Sequence, residues 1–363
     1  MKKRSVVGTL IVLAVCTALV AGTASASPKS AKLTKITLQL KWVPQAQFAG
    51  YYAASLMGFY KAQGLDVTLK NGGPNIIPET VVASGLAQFG VDWLPSLLAA
   101  RDANTPLVNI AQVFARSGMT QLTWKSSGIN TIAKMKGKKV ANWLGGNQYE
   151  LFAALTKAGM NPAKNQGVTI VQQPFTMDLF LKHQVDSASA MTYNELAQVL
   201  ETGVKMSQIN VIKMQSVGTG MLEDGLFSTE SYLKSPANQA IAKKVIAATL
   251  QGWIYCRDNQ AACVQMTLKE GPTLPKGHQA WMMNELNKLI WPNTAGIGIM
   301  SKADYARTAK ISQEFGVIKK APTAGAYRTD LATAAVAMLK AKGLDVTGKN
   351  WKPLNVPISP GGK

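Results

Sequence analysis

The chain has 363 residues, room for about two globular domains or one large one at ~150 residues per domain. With 47% apolar and 16% charged residues it can build a sizeable core, which excludes a disordered chain. Lys+Arg number 39 against Asp+Glu 19, a formal charge of +20, but in scattered short clusters such as Lys136, Lys138, Lys139. No basic tail, zinc-finger spacing or RNA-binding signature accompanies them, which points away from nucleic acid and toward an anionic lipid or an acidic membrane partner.

Met1-Lys-Lys-Arg4 is a positive n-region, Val6 to Val20 is mostly apolar, and Ala24-Ser25-Ala26 supplies the small residues that a signal peptidase accepts. The apolar stretch, about 15 residues, is short for a span of ~20. Cleavage after Ala26 and a periplasmic location are therefore expected, with an uncleaved anchor helix as the alternative. Cys16 lies in a weak lipoprotein box, because Val15 fits poorly before it. Loss of Lys2, Lys3 and Arg4 takes the formal charge from +20 to +17. Cys256 and Cys263 then remain, an even count that suggests a disulfide in an exported protein. On one unbroken helix they would stand roughly 10 Å apart, too far to bond. Asp258-Asn259 can break that helix; two buried thiols are the alternative.

In the mature chain, Ile36 to Trp42 alternates in period two, as a half-buried strand does. A helix from Phe48 to Gln63 ends at Gly64, and Leu65 to Leu69 is the next strand. Pro78 to Leu86 is helical, Phe89 to Trp93 a strand, Pro95 to Ala103 a helix and Leu107 to Phe114 a strand. The same grammar continues with strand Lys139–Trp143, helix Gln148–Ala158, strand Val168–Gln172, helix Asp178–Gln184, strand Ala188–Thr192 and helix Asn194–Leu200. Asn210 to Met214 adds one more strand. Beyond Gly218-Thr-Gly220 the pattern is mainly helical, over Gln239–Ile254, His278–Leu289, Lys302–Phe315 and Thr329–Lys342. Strands alternating with helices of this length predict an α/β protein with mainly parallel, helix-covered sheets. Two lobes are expected, residues 27–123 with 218–363 and residues 124–217, after a signal peptide at 1–26. The chain would cross between them near Thr123-Lys125 and Val217-Met221, and the cleft is the default site.

Three loops at strand ends carry unusual side chains. Lys41-Trp42-Val-Pro44-Gln-Ala-Gln47 places an aromatic where Pro44 blocks simple continuation, and Trp42 can stack on a flat ligand or cap the sheet as core. Gly145-Gly146-Asn147 lets backbone approach closely before a helix N-terminus, or is an ordinary tight turn. Met191-Thr-Tyr193-Asn194-Glu195 pairs an aromatic with a carboxylate that can accept from a ring amine; Glu195 also suits a plain helix start. Asp92-Trp93 ends another strand and joins the candidates. Chemistry of other kinds is poorly supplied. His183 and His278 lie far apart, no Cys pair has zinc spacing, and neither GxxxxGK[ST], GxGxxG nor GxSxG occurs. No metal, cofactor or catalytic residue is expected, and His183 reads as a surface residue.

Leu40-Lys-Trp42-Val-Pro44, Gly50-Tyr-Tyr52-Ala-Ala54, Gly58-Phe-Tyr60-Lys-Ala-Gln-Gly64-Leu-Asp-Val67 and Val82-Ala-Ser-Gly85-Leu-Ala-Gln-Phe-Gly90-Val resemble the NMT1/THI5-like substrate-binding proteins. The resemblance covers almost the whole mature chain. It implies a type II periplasmic-binding-protein fold that closes about a hinge, and a monomer is expected. The implied partners are a small-molecule ligand and the permease and ATPase of an ABC importer. Relatives bind pyrimidine precursors of thiamine, riboflavin, or anions such as sulfonates, nitrate and bicarbonate. Trp42 matches the family's cleft aromatic, Gly145-Gly146-Asn147 its ligand loop, and Tyr193 and Glu195 the aromatic and carboxylate of pyrimidine binders. Phe48 stands where thiamine-type members often carry His. The positions matched to the cofactor Lys and sacrificial His of the fungal pyrimidine synthase are Asp92 and Ser96, so an enzyme of that kind is not expected. A receptor for a heteroaromatic ligand is the leading expectation. An anion receptor using Lys41 is the alternative.

Overall fold

The computed structural model describes Met1 and residues 32–363, so Cys16 and the expected cleavage after Ala26 lie outside the described residues. Ten strands form two five-stranded sheets. They are β1 (Thr34–Gln39), β2 (Leu65–Lys70), β3 (Phe89–Trp93), β4 (Leu107–Gln112), β5 (Met119–Trp124), β6 (Lys139–Asn142), β7 (Thr169–Gln172), β8 (Ser187–Met191), β9 (Ile209–Lys213) and β10 (Asp224–Thr229). The first sheet has the order β2-β1-β3-β10-β4 and the second β7-β6-β8-β5-β9. In each, one strand runs against the other four: β10 is antiparallel to β3 and β4, and β5 to β8 and β9. The chain leaves the first sheet after Gln112 and enters the second at Met119, then returns through residues 214–223. The first crossing thus precedes Thr123-Lys125, and Met119–Trp124 is a strand of the second sheet rather than the tail of the first lobe.

Neither antiparallel strand shows the apolar alternation of β1 and β2, and in β5 this is because polar side chains are buried in pairs. Gln121 Oε1 accepts from Ser187 Oγ at 2.7 Å, and Thr120 Oγ1 donates to the Ala190 carbonyl at 2.7 Å, both across the β5–β8 ladder. Satisfied in this way, such groups escape the cost of unpaired burial and give no sequence signal.

The expected helix from Phe48 to Gln63 is two, Ala49–Leu56 and Phe59–Ala62, broken at Gly58, whose φ of +71° suits glycine. Helix Ala49–Leu56 lies against the long helix Pro236–Asp258, and two glycines set how close they come. A Cβ on Gly252 would stand 2.0 Å from the Gly50 carbonyl oxygen, and one on Gly50 would stand 2.3 Å from the Trp253 ring. Trp253, fully buried, meets Tyr51 edge-on at 6.1 Å and Phe114 at 6.0 Å between ring centroids. Phe114 sits in the first crossing and meets Tyr193 of the second half at 6.3 Å. An edge-to-face aromatic chain therefore runs from the core of one half into the wall of the other. The long helix stops at Asn259, and the next, Gln260–Glu270, folds back so that Cys256 and Cys263 are disulfide-bonded with Cα atoms 5.4 Å apart. Among the described residues no helix is long and apolar enough to cross a membrane.

Candidate functional site

The carboxyl ends of β1, β3, β6 and β8 converge from the two sheets on one narrow cavity, with about 310 Å³ of empty space. Trp42, Gln47, Trp93, Asn147, Tyr193 and Glu195 all line it. Asp92 stands behind the wall, and Gly145 and Gly146 line a neighbouring cavity instead. Lys41, Gln45, Trp143, Met191 and Asn194 complete the lining. Trp143 was within reach of sequence reasoning, since it follows β6 as Trp42 follows β1. The amides Gln45 and Asn194 carry no such signal.

Three indoles give the cavity its shape, and buried carboxylates give it its charge. Lys41 Nζ forms an ion pair with Asp92 Oδ1, both side chains at most 6% exposed, and lies 5.1 Å from the Trp93 ring centroid. Removing either partner would strand a buried charge, at ~3–5 kcal/mol. Asp92 Oδ1 also accepts from the Trp93 backbone N–H at 2.6 Å. Asp224, on β10, accepts from Gln47 Nε2 and from Trp93 Nε1, each at 2.9 Å. Burial pushes its carboxyl up to about 7, opposed by those bonds and by Lys41.

Glu195 opens the helix Glu195–Glu201 and is 3% exposed. Its Oε2 accepts from the Met191 backbone N–H at 2.9 Å and its Oε1 from Asn194 Nδ2 at 2.7 Å. Burial pushes this carboxyl up to about 7 against the Met191 bond. Each oxygen keeps one acceptor site free for a donor in the cavity. Asn194 is itself held by His278, whose Nε2 lies 2.8 Å from its Oδ1, while His278 Nδ1 sits 2.8 Å from Glu201. Tyr193 is 1% exposed and wedged against Phe114, so it presents a fixed face.

Besides the His278 bonds to Asn194 and Glu201, two more hydrogen bonds near the cavity link the halves. Asn194 Nδ2 donates to Gln45 Oε1 at 3.3 Å, and Ser96 Oγ donates to the Gly146 carbonyl at 3.0 Å. Asp92 and Ser96, the positions set against the synthase's Lys and His, thus serve as an ion-pair partner and a cross-cleft donor. His183 packs outside the cleft, its ring stacked at 4.9 Å on Trp124. Among the described residues no cluster of His, Cys, Asp and Glu has the makings of a metal site.

Residues 45–262 match the family described as NMT1/THI5 like. The chain is 25% identical over 332 residues to the riboflavin-binding protein RibY of Chloroflexus aurantiacus, covering 86% of this chain and 92% of that protein. Among solved structures it resembles the periplasmic nitrate-binding protein NrtA from Synechocystis PCC 6803, with a TM-score of 0.65, 14% identity and coverage of 88% of this chain and 92% of that one. It also resembles the periplasmic aliphatic sulphonate-binding protein SsuA from Escherichia coli, with a TM-score of 0.62, 16% identity and coverage of 79% and 89%. The two sheets with their covering helices are the periplasmic-binding-protein fold.

Proposed function

The chain belongs to the NMT1/THI5-like family, and from that premise we propose that it is an extracytoplasmic receptor handing a small heteroaromatic ligand to an ABC importer. The ligand is of the thiamine-pyrimidine or riboflavin type. One observation carries this choice: the cavity combines aromatic walls with acceptors, and among the described residues no free cation lines it. Lys41, the only cation there, is neutralised by Asp92. A sulfonate or nitrate would meet the Glu195 carboxyl in the lining, with Lys41 already spent on Asp92, and so would enter without a counter-charge, which Coulomb's law makes unfavourable at low dielectric. A flat ring bearing N–H donors instead stacks on indole and donates to Glu195. In the receptor fold the halves close over such a ligand about the crossings at residues 113–118 and 214–223. RibY's name supports the riboflavin side of the reading.

The test is calorimetric titration of residues 27–363 with riboflavin, thiamine and aminopyrimidines beside taurine, alkanesulfonates, nitrate and bicarbonate. Binding of a heterocycle with no response to the anions is expected. Binding of the anions alone would overturn the ligand class.

A further inference from the structure

The second half is basic in one kind of residue: residues 119–213 hold ten Lys and no Arg. Those lysines are not spread evenly. β6 and β8 end at the cleft, so the opposite pole is built from their first residues, the end of β5 and the start of β9. Six exposed lysines stand on the turns there: Lys125, Lys134, Lys136, Lys139, Lys164 and Lys205. Backbone contacts knit these turns into one surface. The Gly137 N–H donates to the Gly167 carbonyl at 2.8 Å, which joins the Lys136–Lys139 run to the turn carrying Lys164. The turn Lys125–Ser127 packs against Met206–Gln208, and Lys134 Nζ reaches the Gly128 carbonyl at 3.2 Å.

Little opposing charge stands among them. None of the six forms an ion pair among the described residues. Asp186 accepts from the Lys139 backbone N–H at 2.8 Å, and Asp178 pairs with Lys182. Six like charges gathered at one pole repel one another, and an anionic surface relieves that repulsion. The residue types indicate which surface. Arg, whose planar fork grips single carboxylates and phosphates, is absent from this half. Trp124 is stacked on Phe180 and His183 rather than offered to a nucleic-acid base. Lys is a point charge on a flexible stem and suits the diffuse field of many headgroups. Met206, 52% exposed beside Lys205, adds an apolar tip at the level of the charges.

We propose that this pole is a docking surface for an anionic lipid bilayer, with the six lysines over the headgroups and Met206 in the interface. The cleft lies at the other end of β6 and β8, so docking leaves it open for loading. The proposal goes beyond the receptor reading and does not depend on which ligand the cleft takes.

The experiment is co-sedimentation of residues 27–363 with vesicles of phosphatidylcholine alone and of phosphatidylcholine with phosphatidylglycerol in a two-to-one ratio. The wild type should bind the anionic vesicles at least tenfold more tightly, and molar salt, which shortens the Debye length to about 3 Å, should abolish the difference. The triple variant Lys136→Glu, Lys139→Glu, Lys164→Glu should lose at least tenfold while its urea midpoint holds. The pair Lys125→Gln, Lys205→Gln should weaken binding in the same direction, and carries the test if the triple variant fails to fold. Lys61→Glu, Lys269→Glu, Lys340→Glu makes the same change in net charge on exposed lysines of the first half, and should bind as the wild type does. Equal binding to both vesicles, undiminished binding by the pole variants, or an equal loss in the first-half variant would each overturn the proposal. So would tighter binding to poly-glutamate than to the anionic vesicles, which would assign the pole to an acidic protein. The heterocycle titration reports separately on the cleft.

Discussion

Replacing Glu195 with Gln should erase most of the pH dependence of ligand binding. The Glu195 carboxyl, pushed up to about 7 by burial, is largely protonated at pH 5 and largely ionised at pH 8. A ring N–H is best received by the ionised form, so affinity should rise by close to tenfold per pH unit from pH 5 toward 7, then level off. Each unit is worth about 1.4 kcal/mol. Losing the charge-assisted bond costs about 1.5–3 kcal/mol, so Glu195→Gln should bind ~10- to 150-fold more weakly at pH 8. At pH 5, where the wild type has already lost its charge, the two should differ little. The assay is calorimetric titration with riboflavin, whose ring N–H keeps its proton across pH 5–8, in two buffers of different ionisation enthalpy. Proton release on binding should appear in the wild type below pH 7 and vanish in the variant. Asp224 is pushed to about 7 as well but has two donors of its own, Gln47 and Trp93, and does not line the cavity. A pH slope that survives in Glu195→Gln and disappears in Asp224→Asn would refute the assignment.

Trp42→Ala should weaken a flat heterocycle at least tenfold, about 1.4 kcal/mol, in the same titration; unchanged affinity would remove this indole from the site. Glu150, fully buried in the second half, is pushed up to about 8 by burial. Its folded value lies above its unfolded one, so its contribution is undiminished at acid pH and is lost as pH climbs from about 4.5 through 8. Denaturant midpoints should therefore fall over that range and fall less in Glu150→Gln, with equal slopes counting against it. Gly252→Ala would drive a methyl group onto the Gly50 carbonyl, and should cost ~1–3 kcal/mol or more in urea unfolding. An unchanged midpoint would mean that the two helices separate without penalty.

The strands whose apolar residues alternate or run together were legible, and the cleft followed from where they end. Lys139 to Trp143 is an example: four strand residues and an indole at the rim. β5 and β10 were not legible, and both run against their sheets. In β10 the second residue is a glycine, because a Cβ on Gly225 would meet Asn109 Nδ2 at 2.4 Å, yet in sequence Asp224-Gly225 looks like a turn. In β5, Thr120, Gln121 and Thr123 are polar but fully buried, so polarity misreports their position. The site divides along the same line. Trp42, Tyr193 and Glu195 betray themselves by type and by adjacency to a strand end. The pairing of Lys41 with Asp92 spans 51 residues and that of Gln47 with Asp224 spans 177, and only the folded chain reveals them. That pairing changes the chemistry, since Lys41 read alone suggests an anion and Lys41 read with Asp92 does not.

Of the chain's eight tryptophans, Trp42, Trp93 and Trp143 ring the cavity, while Trp253 and Trp291 are sealed in the core. The consequence is optical. A conjugated heterocycle seated among three indoles drains their excited states, so occupancy is written directly into the protein's own emission. Excitation near the red edge of indole absorption therefore follows filling of the cleft in real time, with no label attached, and a stopped-flow trace of the quench separates ligand arrival from closure of the two halves.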